Sequence, residues 1–310
     1  MILVAGGTGF VGSGIVRELA RRGKPLRVMS REIERAARRF TGLEVQVVAG
    51  DVRDPESLPQ AVEGAETVIG CVQFPNSPIE NPRRGLTFEE IDERGTVRLV
   101  EAARAAGVQR YIYLSGAGAS LDAPYHWFRA KGRAEAAVRG SGITHVIFRP
   151  SWIYGPGDRS LNRFLGLASR LPFVPIVGNG SHQRMQPVFI EDVARVVADS
   201  VELAAADNRI FELGGPEVLT MDEVVRTALQ VMGKRRLLFH TPAALLKAFG
   251  LVAQFLPSPS MTPDAVDFVT ADALADNTAL LEVFDIRLTS LREGLATYVA
   301  PERATHGRAS

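Results

Sequence analysis

Gly6, Gly9 and Gly12 stand at three-residue spacing directly behind an apolar run of Ile2, Leu3, Val4 and Ala5. Such a run reads as a strand buried on both faces. Residues 13–22 continue with helical spacing: Ile15, Val16 and Leu19 form the apolar stripe, and Gly23 stands where a helix stop belongs. Strand, glycine turn and helix in that order make a phosphate site. Glycines let the backbone approach a pyrophosphate, and the helix N-terminus offers unpaired N–H groups and the positive end of its dipole. The turn residues Gly6, Thr8, Gly9, Phe10, Val11 and Gly12 are therefore candidates to hold a dinucleotide. The bland alternative is a tight βα turn and nothing more.

A second chemical signal lies at the end of the next strand, residues 26–29, where Ser30-Arg31 follow. A site for NAD would place Asp or Glu there for the ribose 2′-hydroxyl. A hydroxyl and a guanidinium suit a 2′-phosphate instead, so NADP(H) is favoured over NAD(H). Glu32 blurs this reading. Alternatively, Arg31 starts a solvated helix with Arg35, Arg38 and Arg39.

The elements that must position these groups follow in alternation. Further strands are expected at residues 45–49, 67–72, 111–114 and 144–148, and helices at 88–106 and 127–139. That alternation gives an α/β fold, a Rossmann-type doubly wound parallel sheet with helices on both faces. Cys71 and Val72, ending the fourth strand, should pass beside the cofactor riboses; Cys71 reads as a small packing residue rather than a nucleophile. Gln73 opens a loop to Phe88 carrying Pro75, Pro78 and Pro82, placed to border a substrate. Asp54 suits a helix N-cap ahead of Pro55. Beyond Pro150 the alternation loosens, and residues 174–180, 187–194 and 211–215 read as pieces of a smaller lobe interleaved with the sheet. The expected division is a nucleotide domain over 1–150, its sheet completed by later segments, a substrate or partner lobe over 151–300, and a flexible polar tail over 301–310.

Composition narrows the classes of function. The 310 residues allow one large α/β domain with a lobe attached. Lys plus Arg (36) nearly balances Asp plus Glu (35), so no global field favours nucleic acid or membrane. The single Cys71 excludes an intramolecular disulfide and a cysteine metal cluster, and no metal site is expected. The first strand begins at residue 2, which points to a cytoplasmic chain without a signal peptide.

The succession GGTGFVG, GDVRD, GTVRLVEAARAAGVQRYIYLS, RPSWIYGPGD, QPVFIEDVA and FELGGPEVLTMDEVV resembles the extended short-chain dehydrogenase/reductases. Within them it is most similar to the atypical branch related to the 39-kDa accessory subunit of respiratory complex I, over nearly the whole chain. The resemblance implies that Asp51 and Val52 cap the adenine, and that Ser115, Lys131, Pro150 and Ile153 line the cofactor. It places Gln73, Gly116, Trp127, Tyr154 and Arg184 about the substrate pocket, with Asp192 beside it unless Asp192 is a helix N-cap. Active members use Asn, Ser, Tyr and Lys; the Lys holds the nicotinamide ribose and lowers the Tyr pKa, and the Tyr exchanges a proton with the substrate oxygen. Lys131 fits the lysine position, with a solvated lysine between Arg129 and Arg133 as the alternative. Trp127 stands at the Tyr position, Gly116 at the Ser and Asp92 at the Asn. Two neighbours are available as substitutes. Tyr125 could reach the site from a loop ahead of the helix, and Ser115 is one residue short of the serine position.

Residues 242–256, PAALLKAFGLVAQFL, place Leu245, Leu246, Phe249, Val252, Ala253 and Leu256 at helical spacing. Fifteen residues containing Lys247 cannot span a bilayer. They form either a helix packed on the small lobe or a face that meets a membrane surface or a partner protein, which would put the chain peripherally on the inner face of a membrane. Two classes of function follow. One is an oxidoreductase-like protein with an incomplete tetrad, acting on a small quinone-like or isoprenoid molecule. The other is a non-catalytic dinucleotide-binding accessory or assembly factor for a membrane redox system. A nucleotide-sugar epimerase or dehydratase using a displaced Tyr125 is a further alternative.

Overall fold

Four consecutive apolar side chains survive in one strand only if both faces of its sheet are covered, and Ile2–Ala5 is buried at every position. The structure is a computed structural model describing residues 1–75, 77–254, 256 and 261–299. Its central sheet contains β1 (Ile2–Ala5), β2 (Leu26–Ser30), β3 (Val45–Ala49), β4 (Thr67–Gly70), β5 (Arg110–Leu114), β6 (Thr144–Pro150) and a last strand, Arg209–Leu213. Read across the sheet, the order is last strand, β6, β5, β4, β1, β2, β3. All pairings are parallel, with Ile2 opposite Leu26 on one side and Thr67 on the other. The crossovers carry α1 (Phe10–Arg21), α2 (Ile33–Arg39), α3 (Leu58–Val62), α4 (Gly95–Ala105) and α5 (His126–Gly140). This is the doubly wound parallel sheet expected from the alternation, and the strand order reverses at β1, between β2 and β4.

Several elements differ from the sequence reading. The helix expected over 88–106 begins as a π-helix, Phe88–Arg94, capped by Thr87, whose Oγ1 accepts from the Glu90 N–H at 3.0 Å, and continues as α4. Residues 187–194 and 211–215 do not fall wholly in the smaller lobe. Helix Ile190–Asp199 packs on α1, where Arg22 Nη1 lies 2.6 Å from Asp199 Oδ1, and Arg209–Leu213 is an edge strand of the main sheet. Asp54 precedes Pro55 but makes no side-chain cap; the Ser57 hydroxyl instead donates to its carbonyl at 2.7 Å.

The chain forms two compact units. The first comprises Met1–Ile153, Ile190–Gly214 and Ala273–Arg287. The second comprises the described residues of 154–189, 215–272 and 288–299. In the second unit Phe173–Val177 pairs in parallel with Leu237–Thr241, and Arg184–Met185 pairs antiparallel with Leu219–Thr220. Helices Met221–Val231 and Leu291–Ala296 open with capping boxes at Thr220/Glu223 and Ser290/Glu293. Residues 301–310, expected to be a polar tail, lie outside the described residues.

Gly12 sets how closely α1 approaches β1. A Cβ there would collide with the Gly6 carbonyl oxygen and come within 2.7 Å of Gly7 Cα. The obstructing atoms are backbone and cannot swing aside. Gly12→Val should therefore cost at least the roughly 1–3 kcal/mol of an overpacked core site, read as a lowered urea midpoint.

Candidate functional site

Gly6 has φ +84°, and a Cβ on it would stand 2.5 Å from the Cys71 carbonyl oxygen and 2.9 Å from the Val72 nitrogen. Only glycine fits such a conformation that close to backbone. The Gly9 N–H donates to the Gly6 carbonyl at 2.9 Å, and Gly9 occupies the N-cap position before Phe10. The turn therefore delivers the first N–H groups of α1, with Thr8, Phe10 and Val11 half-buried around them, to the carboxyl edge of the sheet. A backbone cradle that side chains would fill suits a dinucleotide pyrophosphate. The Cys71 thiol donates to the Ala5 carbonyl at 3.1 Å, and burial pushes its pKa up to about 12, so it packs as a thiol and is no nucleophile.

At the β2 end the Ser30 hydroxyl is engaged locally, accepting from the Glu32 N–H at 3.1 Å and donating to the Glu32 carbonyl at 3.2 Å. Arg31 is exposed. Arg39 brings a second cation that the sequence reading left on a solvated helix: its Nη2 donates to Ser13 Oγ at 3.0 Å, in the second turn of α1. Asp51 Oδ1 accepts from the Arg53 N–H at 2.9 Å, and its Oδ2 pairs with the Arg53 guanidinium at 2.8 Å. Burial opposes the charge on Asp51, but Arg53, with Arg31 adding to the field, holds its pKa below the usual carboxylate range. Val52 is buried.

Lys131 is not a solvated lysine. It is buried on α5 with its Nζ 2.7 Å from Asp92 Oδ1, and Asp92 is wholly enclosed within the π-helix. Burial works against the ammonium, yet Asp92, Tyr113 and Glu135 outweigh it and raise the Lys131 pKa above its ordinary value. Burial drives the Asp92 pKa up, with Lys131 opposing. The Tyr113 ring lies 5.8 Å from the same Nζ.

The two positions flanking the start of α5 carry stacked aromatic rings. Tyr125 stands in extended backbone just ahead of the helix, and its ring stacks on Trp127 at 4.4 Å and 8°. Trp127 is buried, with the Phe88 ring at 6.4 Å. Glu80 fastens the 73–88 loop here: its Oε2 lies 2.9 Å from His126 Nε2, and its Oε1 accepts from the Phe88 N–H at 2.7 Å. At Gly116 a Cβ would meet nothing within 4 Å.

Ser115 does not replace the serine. Its hydroxyl donates to Glu135 Oε1 at 2.6 Å, and Arg149 grips the same carboxylate at 2.8 and 2.6 Å. Glu135 and Arg149 were not singled out from the sequence, although Glu135 stands one helical turn beyond Lys131.

The remaining candidates are scattered. Pro150 ends β6 and accepts from the Ala117 N–H at 2.9 Å, and Ile153 is half-buried. Exposed Gln73 donates to Ser77 Oγ at 3.2 Å. Asp192 is no N-cap; it is buried as the third residue of its helix. Tyr154 and Arg184 belong to the second unit. Tyr154 is fully buried and its hydroxyl donates to the Ser290 carbonyl at 3.1 Å, leaving no surface for a substrate. Exposed Arg184 pairs with Asp272 at 3.5 Å.

A family model described as NAD(P)H-binding matches residues 6–202. The chain is 30% identical over 292 residues to subunit 9 of the NADH dehydrogenase [ubiquinone] 1 alpha subcomplex, mitochondrial, of Arabidopsis thaliana, covering 89% of this chain and 71% of that protein. It is also 30% identical over 265 residues to a ceramide reductase of Caulobacter vibrioides, covering 85% and 80%. An Escherichia coli NADPH-dependent quinone oxidoreductase solved with NADPH shares the fold at a TM-score of 0.74 and 19% identity, covering 96% of this chain and 99% of that one.

The Asp92–Lys131 pair makes a signed prediction. Asp92→Ala strands a buried ammonium and should cost about 3–5 kcal/mol near neutral pH. Without its partner, desolvation depresses the folded-state lysine pKa below the unfolded value of about 10.4. The deficit should thus be full below the depressed pKa and shrink as pH rises toward the unfolded one. Melting temperatures of variant and wild type, measured between neutral and alkaline pH, should converge.

Proposed function

Since the chain belongs to the NAD(P)H-binding family of Rossmann proteins, we propose that it binds NADP(H) in preference to NAD(H) and serves as an oxidoreductase-like protein without the standard proton donor. The observation that carries this reading is the centre itself. A cationic lysine is held by Asp92, while Trp127 fills the tyrosine position and Gly116 the serine position. The glycine turn and the start of α1 hold the pyrophosphate, and Arg31 and Arg39 face the 2′-phosphate. Asp51 and Val52 take the adenine, and Lys131 takes the nicotinamide ribose. The dinucleotide, when bound, supplies or accepts a hydride. An indole neither ionises usefully nor returns a proton, so Trp127, buried beneath the Tyr125 ring, supplies no general acid. A centre without a protein acid suits a small quinone-like or isoprenoid molecule, whose reduced form can take its proton from water, better than a sugar.

A second reading is a non-catalytic accessory factor for a membrane redox system, stabilised by its bound dinucleotide. It is favoured by the same substitutions, and the Arabidopsis relative is named as a subunit of such an enzyme.

Titration of NADPH and NADH against Trp fluorescence at one ionic strength tests the cofactor assignment. NADPH should bind more tightly, and Arg31→Ala should lose about 1.5–3 kcal/mol for NADPH alone. Equal binding of the two would refute it.

Catalysis is tested by NADPH oxidation with a short-chain ubiquinone and with a simple ketone. Ketone reduction should be slow, because a missing general acid forfeits roughly 10²–10⁴-fold in rate. Trp127→Tyr with Gly116→Ser should raise it, there being open space at Gly116. Ordinary ketone turnover abolished by Tyr125→Phe would instead make Tyr125 the acid. No turnover of either substrate, with NADPH still bound, would leave the accessory reading standing.

A further inference from the structure

The chain is nearly neutral, with one acid every nine residues or so, yet residues 224–263 contain none. The same stretch holds Arg226, Lys234, Arg235, Arg236 and Lys247. It also contains the most exposed apolar side chains among the described residues. On helix Ala243–Ala253 and just beyond it, Leu245 is 63% exposed, Phe249 58%, Val252 74% and Leu256 56%. Their spacing sets them along one face. The opposite face is packed, for a Cβ on Gly250 would lie 3.0 Å from the Pro263 nitrogen, on the neighbouring helix Pro263–Thr270. On the strand immediately before, Leu237 (76%) and Phe239 (60%) are exposed two residues apart, and the Phe239 ring is 6.3 Å from exposed Phe173.

We propose that the second unit binds the surface of an anionic lipid bilayer, with helix Ala243–Ala253 lying in the interface and the Lys234–Arg236 run facing the headgroups. This does not depend on the function proposed above. Eleven residues form a helix of about 16 Å, too short to span and long enough to lie flat. No described helix is long and apolar enough to cross a membrane. The acids packed nearby are already engaged: Asp267 pairs with Lys247 at 2.5 Å, and Asp222 with His240 at 2.8 Å and Arg226 at 3.7 Å. Asp264, in the first turn of Pro263–Thr270, is the remaining one. Charge decides against a second copy of the chain, since a two-fold contact through this face would set one basic run against the other. An apolar face edged with cations is what a negatively charged bilayer attracts.

The test is co-sedimentation of the full chain with phosphatidylcholine vesicles and with phosphatidylcholine vesicles containing phosphatidylglycerol, at low and high salt. Binding should require phosphatidylglycerol and weaken with salt. Phe249→Gln with Val252→Gln should abolish it while NADPH still binds. Arg235→Glu, a change at an exposed side chain, should weaken it roughly tenfold and provides an independent reading if the double variant misfolds. No binding to the charged vesicles overturns the proposal. So does binding unchanged by both variants, or self-association through this face without vesicle binding, seen by sedimentation velocity.

Discussion

The carbonyl of Cys71 and the backbone of Gly6 approach so closely that no side chain fits between them. That approach brings the carboxyl ends of β1 and β4 together, at the point where the strand order reverses. With Gly12 tight against Gly6 on the other side, α1 starts directly above the sheet edge with its first amides uncommitted. The proposed dinucleotide site thus arises from an absence of side chains, and the groups around it are arranged about a gap that backbone alone defines.

Two buried ion pairs fix the region beside that gap, and both are rooted in α5. Lys131 ties the helix to the π-helical turn through Asp92, and Glu135, one turn later, ties it to β6 through Arg149 and to the β5 exit through Ser115. Burying charges carries a desolvation penalty that fine geometry offsets, so such pairs specify an arrangement more than they stabilise it. Here the arrangement buries a cation on α5, one turn after Trp127.

What the sequence disclosed depended on how local each signal was. The glycine turn and the parallel sheet were legible because residue type and short spacing dictate them. The apolar face from Phe88 through Ile91, Leu99 and Ala103 was equally clear, but the same periodicity serves a π-helix and an α-helix, so the wider first turns could not be read. Arg39 meets Ser13 across 26 positions and Asp92 meets Lys131 across 39, contacts that no periodicity announces. For Tyr154 the expectation came from likeness and not from local spacing. The family resemblance placed it at the substrate pocket, while the fold seals it against Ser290. Arg209–Leu213 looked detached because its partner β6 precedes it by nearly sixty residues.

The chain crosses between its two units five times, and the first unit receives its edge strand and the helix against α1 only after residue 189, with a further segment at Ala273–Arg287. On a ribosome the glycine turn therefore emerges well before the elements that complete its unit. Neither unit exists as an unbroken stretch of polypeptide. The two cannot be exchanged or cloned apart by a single cut, and contacts of such long sequence separation make folding slow relative to locally wired folds of equal size. Any lineage that remodels the second unit does so largely by editing two insertions within the first, 154–189 and 215–272.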